Sequence, residues 1–340
     1  MAKVLVTGAT GFIAGHVILQ LLDAGHEVRG TARSAASAPK LDAALSKYAG
    51  KPVNIELYAA NLEKDAGWAD AVAGMDYVQH VASPFPAGVP KDPDDLIRPA
   101  KEGALRVLKA AKAAGVKRVV MTSSVAAIAY GWGDARPAIM TEEHWSNPDN
   151  IMDNTAYARS KTIAELAAWD YVRGEGQGLE LAVINPAGVL GPVMSGDLSS
   201  SLELLTQPMS GKIPAIPRIG FSIVDVRDVA SAHVAAMTLP EAAGERFLVG
   251  QPFMWFSELT AILQEAFPDY KKKIPSATMP DFMLKLVAIF NPSLKLILPE
   301  LGRERQISNE KAKRVLAWQP RSAKEAIIAG AQSLIDNGII

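Results

Sequence analysis

The chain has 340 residues, 49% hydrophobic and 21% charged, with a formal net charge of −1. That is enough apolar matter for a large core, and the balanced charge gives no electrostatic reason to expect nucleic acid or an anionic membrane as partner. With no cysteine, disulfides, thiol catalysis and thiolate metal sites are excluded.

The first half alternates short β-branched runs with longer helical patterns. Lys3–Thr7, Glu27–Thr31, Asn54–Tyr58, Tyr77–Ala82 and Arg118–Thr122 read as strands, and Phe12–Ala24, Asp94–Ala114 and Asn154–Arg173 as helices. Strands alternating with helices predict an α/β fold with a doubly wound parallel sheet of Rossmann type. Strands this apolar belong where both sheet faces are covered. Leu181–Ile184 and Arg246–Val249 read as two more strands of that sheet. The stretch from Pro186 to Arg218 is rich in Pro, Gly and Ser, and the tail from Phe256 is helical with Pro breaks. The expected division is a dinucleotide-binding domain over 1–185, to which 219–250 returns, and a smaller, mostly helical substrate lobe from 186–218 and 251–340. The N-terminus enters the first strand directly, without the basic and apolar regions of a signal peptide, and no apolar run is long enough to span a bilayer. A cytoplasmic protein without a membrane partner is expected.

Four motifs carry chemistry. In Val4-Leu-Val-Thr-Gly8-Ala-Thr-Gly11-Phe-Ile-Ala14, a strand runs into a glycine turn that opens a helix. Gly8 permits the tight turn, Gly11 lets backbone approach a pyrophosphate, and Ala14 allows close helix–strand packing. The helix N-terminus offers N–H groups and a positive dipole end to phosphates. At the end of the second strand, Gly30-Thr-Ala-Arg33-Ser lacks the acid that NAD enzymes place about 20 residues past the glycines. Arg33, with Lys40 further on, suits the 2′-phosphate of NADP(H) instead. Tyr157-Ala-Arg-Ser-Lys161 puts a phenol and an ammonium on one helix face. A positive neighbour makes a phenol a better proton donor at neutral pH, so Tyr157 is the candidate general acid and Lys161 its partner. Val119-Val-Met-Thr-Ser123-Ser124 ends a strand in hydroxyls, where open α/β sheets form their sites, and Ser124 is the candidate carbonyl binder. No nucleophile-elbow pattern surrounds it, which argues against a hydrolase. The five histidines show no metal-ligand spacing, so no metal is expected. His80 reads as a packed core residue, and Asp225, Arg227 and Asp228 as an ion-paired structural corner.

Together these motifs resemble the extended short-chain dehydrogenase/reductase family. His80-Val-Ala-Ser-Pro-Phe85, Asn185-Pro186 with Gly191-Pro192, Val224-Asp-Val-Arg-Asp228-Val-Ala, and Asn309 to Pro320 narrow the match. They point to the branch of dihydroflavonol reductases, cinnamoyl-CoA reductases and yeast methylglyoxal reductases. The resemblance implies that Gly8, Gly11, Phe12, Ile13 and Arg33 hold pyrophosphate and adenosine phosphate, with Asn61 and Leu62 by the adenine. Val81, Ala82 and Ser83 would run along the cofactor, with Pro186 and Val189 near the nicotinamide. Phe85 would wall the substrate pocket, whose other candidates are Ala126 to Tyr130 and the segments Met194–Leu205 and Phe221–Ile223. The family usually has Asp where this chain has Asn61. Ala129 stands where plant dihydroflavonol reductases often place Asn, which argues against a flavonoid substrate. The expected activity is NADPH-dependent reduction of an aldehyde or ketone to an alcohol, by a monomer or homodimer acting on a small molecule. Rivals within the class are a nucleotide-sugar epimerase or dehydratase and a hydroxysteroid dehydrogenase; from another class, a non-catalytic NADP sensor of the same fold. Arg33 argues against an epimerase with tightly held NAD, Val125 and Ala126 against a dehydratase, and the Tyr157–Lys161 pair against a sensor.

Overall fold

The computed structural model describes residues 1–84, 92–194, 199–290 and 297–340. In chain order the first elements are β1 (Lys3–Val6), α1 (Phe12–Asp23), β2 (Glu27–Ala32), α2 (Ala38–Ala49), β3 (Glu56–Ala59), α3 (Trp68–Val72), β4 (Tyr77–His80), α4 (Asp94–Ala113), β5 (Arg118–Thr122), α5 (Ala156–Arg173) and β6 (Glu180–Pro186). There follow β7 (Gly188–Leu190), α6 (Glu203–Met209), β8 (Gly220–Phe221), β9 (Ile223–Asp225), α7 (Val226–Thr238), β10 (Arg246–Val249), β11 (Met254–Trp255), α8 (Phe256–Ala266), α9 (Asp281–Phe290), α10 (Glu310–Leu316) and α11 (Ala323–Asp336).

Among the described residues, seven strands form one sheet in the order β10-β6-β5-β4-β1-β2-β3, every pair parallel. β1 pairs Lys3 with Glu27 on one side and Val4 with Tyr77 on the other. The strand order reverses between β1 and β4, which opens a crevice above their carboxyl ends.

The period of two along each strand decides what each face buries. Val4 and Val6 face one layer with Val17, Ile18, Ile184 and Val229, where α1 packs on α7. Leu5 faces the other with Val78, Val107, Leu108 and Trp169, where α4 packs on α5. Leu5 is fully buried, and truncating such a leucine to alanine costs about 2–5 kcal/mol. The carbonyls of Ala236, Met237 and Leu239, at and just past the end of α7, accept from the buried Arg118 Nη1 at 2.6–3.2 Å. A cation thus meets the negative end of that helix.

A third core joins Leu190, Leu202, Leu205 and Ile223 to Phe256, Leu259, Leu263, Ile327 and Leu334. It gathers α6, α8 and α11 against β7 and β9, which pair in parallel; β8 and β11 pair antiparallel. This part is mostly helical, with two short strand pairs that the sequence pattern does not reveal. Element limits also move. The third strand is Glu56–Ala59 rather than Asn54–Tyr58, because Arg29 and Ala32 of β2 meet Glu56 and Ala59. The fifth helix starts at Ala156 because Thr155 caps it, its hydroxyl accepting from the Ala158 N–H at 3.1 Å. No described helix is long and apolar enough to cross a membrane.

Candidate active site

The strand order sets the predicted residues side by side above the sheet. Asn61 and Leu62 follow β3, Arg33 follows β2, Gly8, Gly11, Phe12 and Ile13 follow β1, Val81 to Ser83 follow β4, and Ser124 follows β5. Pro186 ends β6 and Val189 lies in β7. All of them line one cleft of about 1040 Å³, together with Ala126, Tyr130, Tyr157 and Lys161. That is ample for a dinucleotide and a small substrate. Lys40 is exposed on α2 and is not among the residues lining the cleft, and Phe85 lies outside the described residues.

The β1–α1 turn fits a dinucleotide pyrophosphate. Gly8 has φ +65°, and a Cβ there would sit 3.0 Å from the Ala82 Cβ. A Cβ on Gly11 would sit 3.1 Å from the Gly8 carbonyl. Gly11 caps α1 without a side-chain hydrogen bond, and the first turn holds no acid. The opening N–H groups therefore keep their donors and dipole for an anion. Beside them Thr31 Oγ1 accepts from the Gly8 N–H at 3.2 Å. Arg33 is exposed at the β2 end of the cleft, where a guanidinium is free to meet a phosphate. Asn61 Oδ1 already accepts from the Glu63 N–H at 3.0 Å, leaving one lone pair for an adenine amine.

β5 and α5 carry the catalytic candidates. Ser124 is 8% exposed and extended, and its Oγ accepts from the Ala126 N–H at 3.1 Å, so its own hydrogen remains to be donated. Tyr157 is half-buried in the first turn of α5. One turn on, Lys161 Nζ lies 5.8 Å from the Tyr157 ring centroid and donates to Ser83 Oγ at 3.0 Å. A helix lysine ordinarily reaches water, yet Lys161 is only 8% exposed. It ties α5 to the loop after β4.

A further turn along the same face stands Glu165, fully buried and missed by motif reading. Its carboxylate accepts from Ser123 Oγ at 2.5 Å, Asn185 Nδ2 at 2.8 Å, Arg246 Nε at 2.6 Å and Trp169 Nε1 at 3.3 Å. Asn185 Nδ2 also donates to the Ser124 carbonyl at 3.1 Å. These bonds lock β5, β6, β10 and α5 together beneath Ser124 and Tyr157. Removing one member of such a network strands a buried partner.

His80 is part of the support, as its burial suggests. Its Nδ1 and Thr7 Oγ1 are 2.9 Å apart, and Thr7 Oγ1 accepts from the Ala82 N–H at 3.0 Å. Burial, reinforced by the charge of Lys161, pushes His80 down to about 3, so it stands neutral. Asp225 pairs with Arg227, but Asp228 pairs with Arg321 from the distant tail. Among the described residues no group of three or more His, Asp or Glu is placed to hold a metal.

The end beyond Ser124 is assembled from far-apart segments. Ala126, Ala129 and Tyr130 follow β5, Phe221 and Phe253 come from either side of β10, and Glu300, Arg305 and Ile307 come from the tail. Phe221 lies in a segment expected to line the pocket; Phe253, Glu300, Arg305 and Ile307 were not foreseen. No local pattern marks them, because they reach the cleft through long-range contacts: Ile307 bridges to Met140, and Arg305 meets the Ala129 carbonyl and the Tyr130 ring.

The NAD dependent epimerase/dehydratase family model matches residues 4–250. A cinnamoyl-CoA reductase of Medicago truncatula is 37% identical over 269 residues, 78% of this chain and 81% of that protein. A ketoreductase of Aspergillus niger is 32% identical, covering 82% of this chain and 86% of its own. Among solved structures, the yeast methylglyoxal/isovaleraldehyde reductase Gre2 complexed with NADPH superposes with a TM-score of 0.81 at 30% identity, covering 99% of this chain and 100% of that one. The chain belongs to the NAD dependent epimerase/dehydratase family, as an NAD(P)-dependent reductase of its extended short-chain dehydrogenase/reductase type.

Proposed function

We propose that the protein reduces an aldehyde or ketone to the alcohol with NADPH, reversibly, and that Tyr157 gives the proton. The observation that carries this reading is the placement of Tyr157, Lys161 and Ser124 in the same cleft as a glycine-built dinucleotide cradle. When bound, NADPH supplies the hydride for the carbonyl carbon. Ser124 donates its free hydroxyl hydrogen to the carbonyl oxygen and stabilises the charge that gathers there. Tyr157 then hands that oxygen its proton, and the Lys161 ammonium favours the phenolate left behind. Ser83 and the burial of Lys161 hold that ammonium in place.

Arg33 supports the phosphorylated cofactor, in keeping with the NADPH named for the yeast and Candida albicans Gre2 structures. Alanines, Tyr130, Phe221, Phe253 and Ile307 give the substrate end an apolar lining suited to hydrophobic carbonyl compounds. A dehydratase is disfavoured because Val125 and Ala126, not an acid, follow Ser124, and an epimerase with tightly held NAD because Arg33 stands where the ribose-binding acid would be. The Thermotoga maritima UDP-glucose 4-epimerase, at 20% identity and a TM-score of 0.74, shares the fold. The same reading has a monomer or homodimer working on a free small molecule in the cytoplasm; a stable tetramer in sedimentation contradicts it.

The test is an NADPH-oxidation screen over aldehydes, α-keto esters, diketones and aryl ketones, with NADH in parallel. Turnover with NADPH in preference to NADH is expected. NADPH binding without turnover of any member would favour the sensor.

A further inference from the structure

Among the described residues, the cations lining the cleft are Arg33, Lys161 and Arg305. Arg33 stands at the adenosine end and Lys161 is engaged with Ser83, so Arg305 is the one left on the substrate side. It is 8% exposed, in a lining that sets alanines, Tyr130, Phe221, Phe253 and Ile307 beside uncharged serines and Glu300. An apolar pocket does not require a buried guanidinium, and burying one is costly unless it is paired.

The pairing is incomplete in a particular way. Arg305 Nε donates to the Ala129 carbonyl at 3.2 Å, Nη2 donates to Asp153 Oδ1 at 3.2 Å, and Nη1 donates to Glu300. The guanidinium lies 4.3 Å from the Tyr130 ring centroid. A guanidinium has five N–H donors, so one on each Nη is not accounted for by these bonds. Asp153 is also shared with Arg136 and Arg303. In these ion pairs three guanidiniums meet two carboxylates, so neither carboxylate oxygen of Asp153 belongs to Arg305 alone.

The geometry points to Arg305 as a specificity-determining residue that receives a second oxygen of the substrate, a carboxylate or the carbonyl of an ester, beyond the carbonyl being reduced. This rests on the reductase reading above and names its substrate class: oxo esters and oxo acids over plain alkyl ketones. The ring of Tyr130 and the Ala129 carbonyl fix the guanidinium plane, and a planar, oriented donor pair suits the two oxygens of a carboxylate or ester. Glu300 shares the guanidinium and lines the same wall. It tempers the charge, so a neutral ester competes with a full anion.

The experiment uses matched compounds: alkyl ketones, oxo esters of equal length with the oxo group alpha, beta or gamma to the ester, and the stable oxo acids. Arg305→Met should lower kcat/KM for the preferred oxo ester by about 10- to 100-fold more than for the alkyl ketone, mainly through KM, which is the size of one hydrogen bond to a charged group. Asp153 retains Arg136 and Arg303 in that variant. Glu300→Gln should shift preference from ester toward acid several-fold, because it removes the competing anion and keeps a polar neighbour; it decides the matter alone if Arg305→Met does not fold. Equal losses on ketone and ester, or an unchanged acid-to-ester ratio in Glu300→Gln, overturn the inference while leaving the reductase reading standing. A wild-type protein that binds NADPH and reduces none of the three classes overturns both.

Discussion

At the dinucleotide end of the cleft, Gly8, Gly11 and Arg33 come from consecutive elements and act through backbone shape and a strand end. At the other end, Tyr130, Phe221, Phe253 and Arg305 come from four separate stretches and line the cleft with their side chains. The difference shows how the fold divides its work. A parallel sheet presents one edge of strand termini, so whatever binds there is written as a short strand–turn–helix phrase. What sits beyond β5 depends on how a second core carries the tail back, and it can change without disturbing the cradle.

Lys161 stands where the two ends meet, so its loss should cross the boundary. Lys161→Ala removes the ammonium beside Tyr157 and the bond to Ser83. We expect kcat to fall about 10²–10⁴-fold, the usual worth of a positioned acid–base pair, with weaker NADPH binding as well. Steady-state kinetics and a cofactor titration check both halves; loss of only one would show that the ends are less coupled here than the contacts suggest.

Arg33→Asp should stay confined to the adenosine end. Loss of a hydrogen bond to a charged group, about 1.5–3 kcal/mol, predicts a drop of roughly 10- to 100-fold for NADPH. NADH use should change little, and so should the ranking of carbonyl substrates. A changed substrate ranking would contradict the separation.

The framework under both ends should respond to pH. Burial pushes His80 and His233 down to about 3 and His16 to about 4, from an ordinary 6.5. Unfolded, these histidines take up protons as pH falls through 6.5; folded, they do not until pH nears those lower values. The stabilisation is therefore complete above pH 6.5 and lost as pH falls toward 4 and 3, by at most about 1.4 kcal/mol per pH unit for each histidine. Thermal melts from neutral pH to pH 4.5 should show a falling Tm, and His233→Gln a shallower fall. His233 bonds Thr122 and Gln79 at 2.8 Å each, so the variant also lowers Tm at neutral pH. A pH-independent Tm would contradict the neutral burial of these groups.

Much of this architecture is legible in the chain because strand runs, glycine turns and the i, i+4 pair are local. Periodicity placed the seven strands of the sheet to within two residues at each end, and Gly8 and Gly11 announced the cradle. The helix α2 escaped notice because Leu41 and Leu45 are its only buried residues, too weak a stripe to stand out. α7 escaped because its buried face mixes small and polar residues, Ala230, Ala232, Ala236, Asp228 and His233, with Val226, Val229 and Met237. Glu165 reads as one more helix carboxylate until folding brings Ser123, Asn185 and Arg246 around it. Arg305 reads as one of several tail arginines until Tyr130 and Asp153 meet it. Such sites depend on long-range packing, and no window of sequence contains them.

The central claim is that Tyr157 gives the proton in a cleft whose cofactor end works without it. Tyr157→Phe removes the transferable proton and leaves the ring that packs beside Lys161. The direct measurement is turnover of a reducible carbonyl by this variant beside an NADPH-binding titration on the same preparation. The account predicts near-native binding with a rate lowered about 10²–10⁴-fold. Near-native binding with a near-native rate would contradict it.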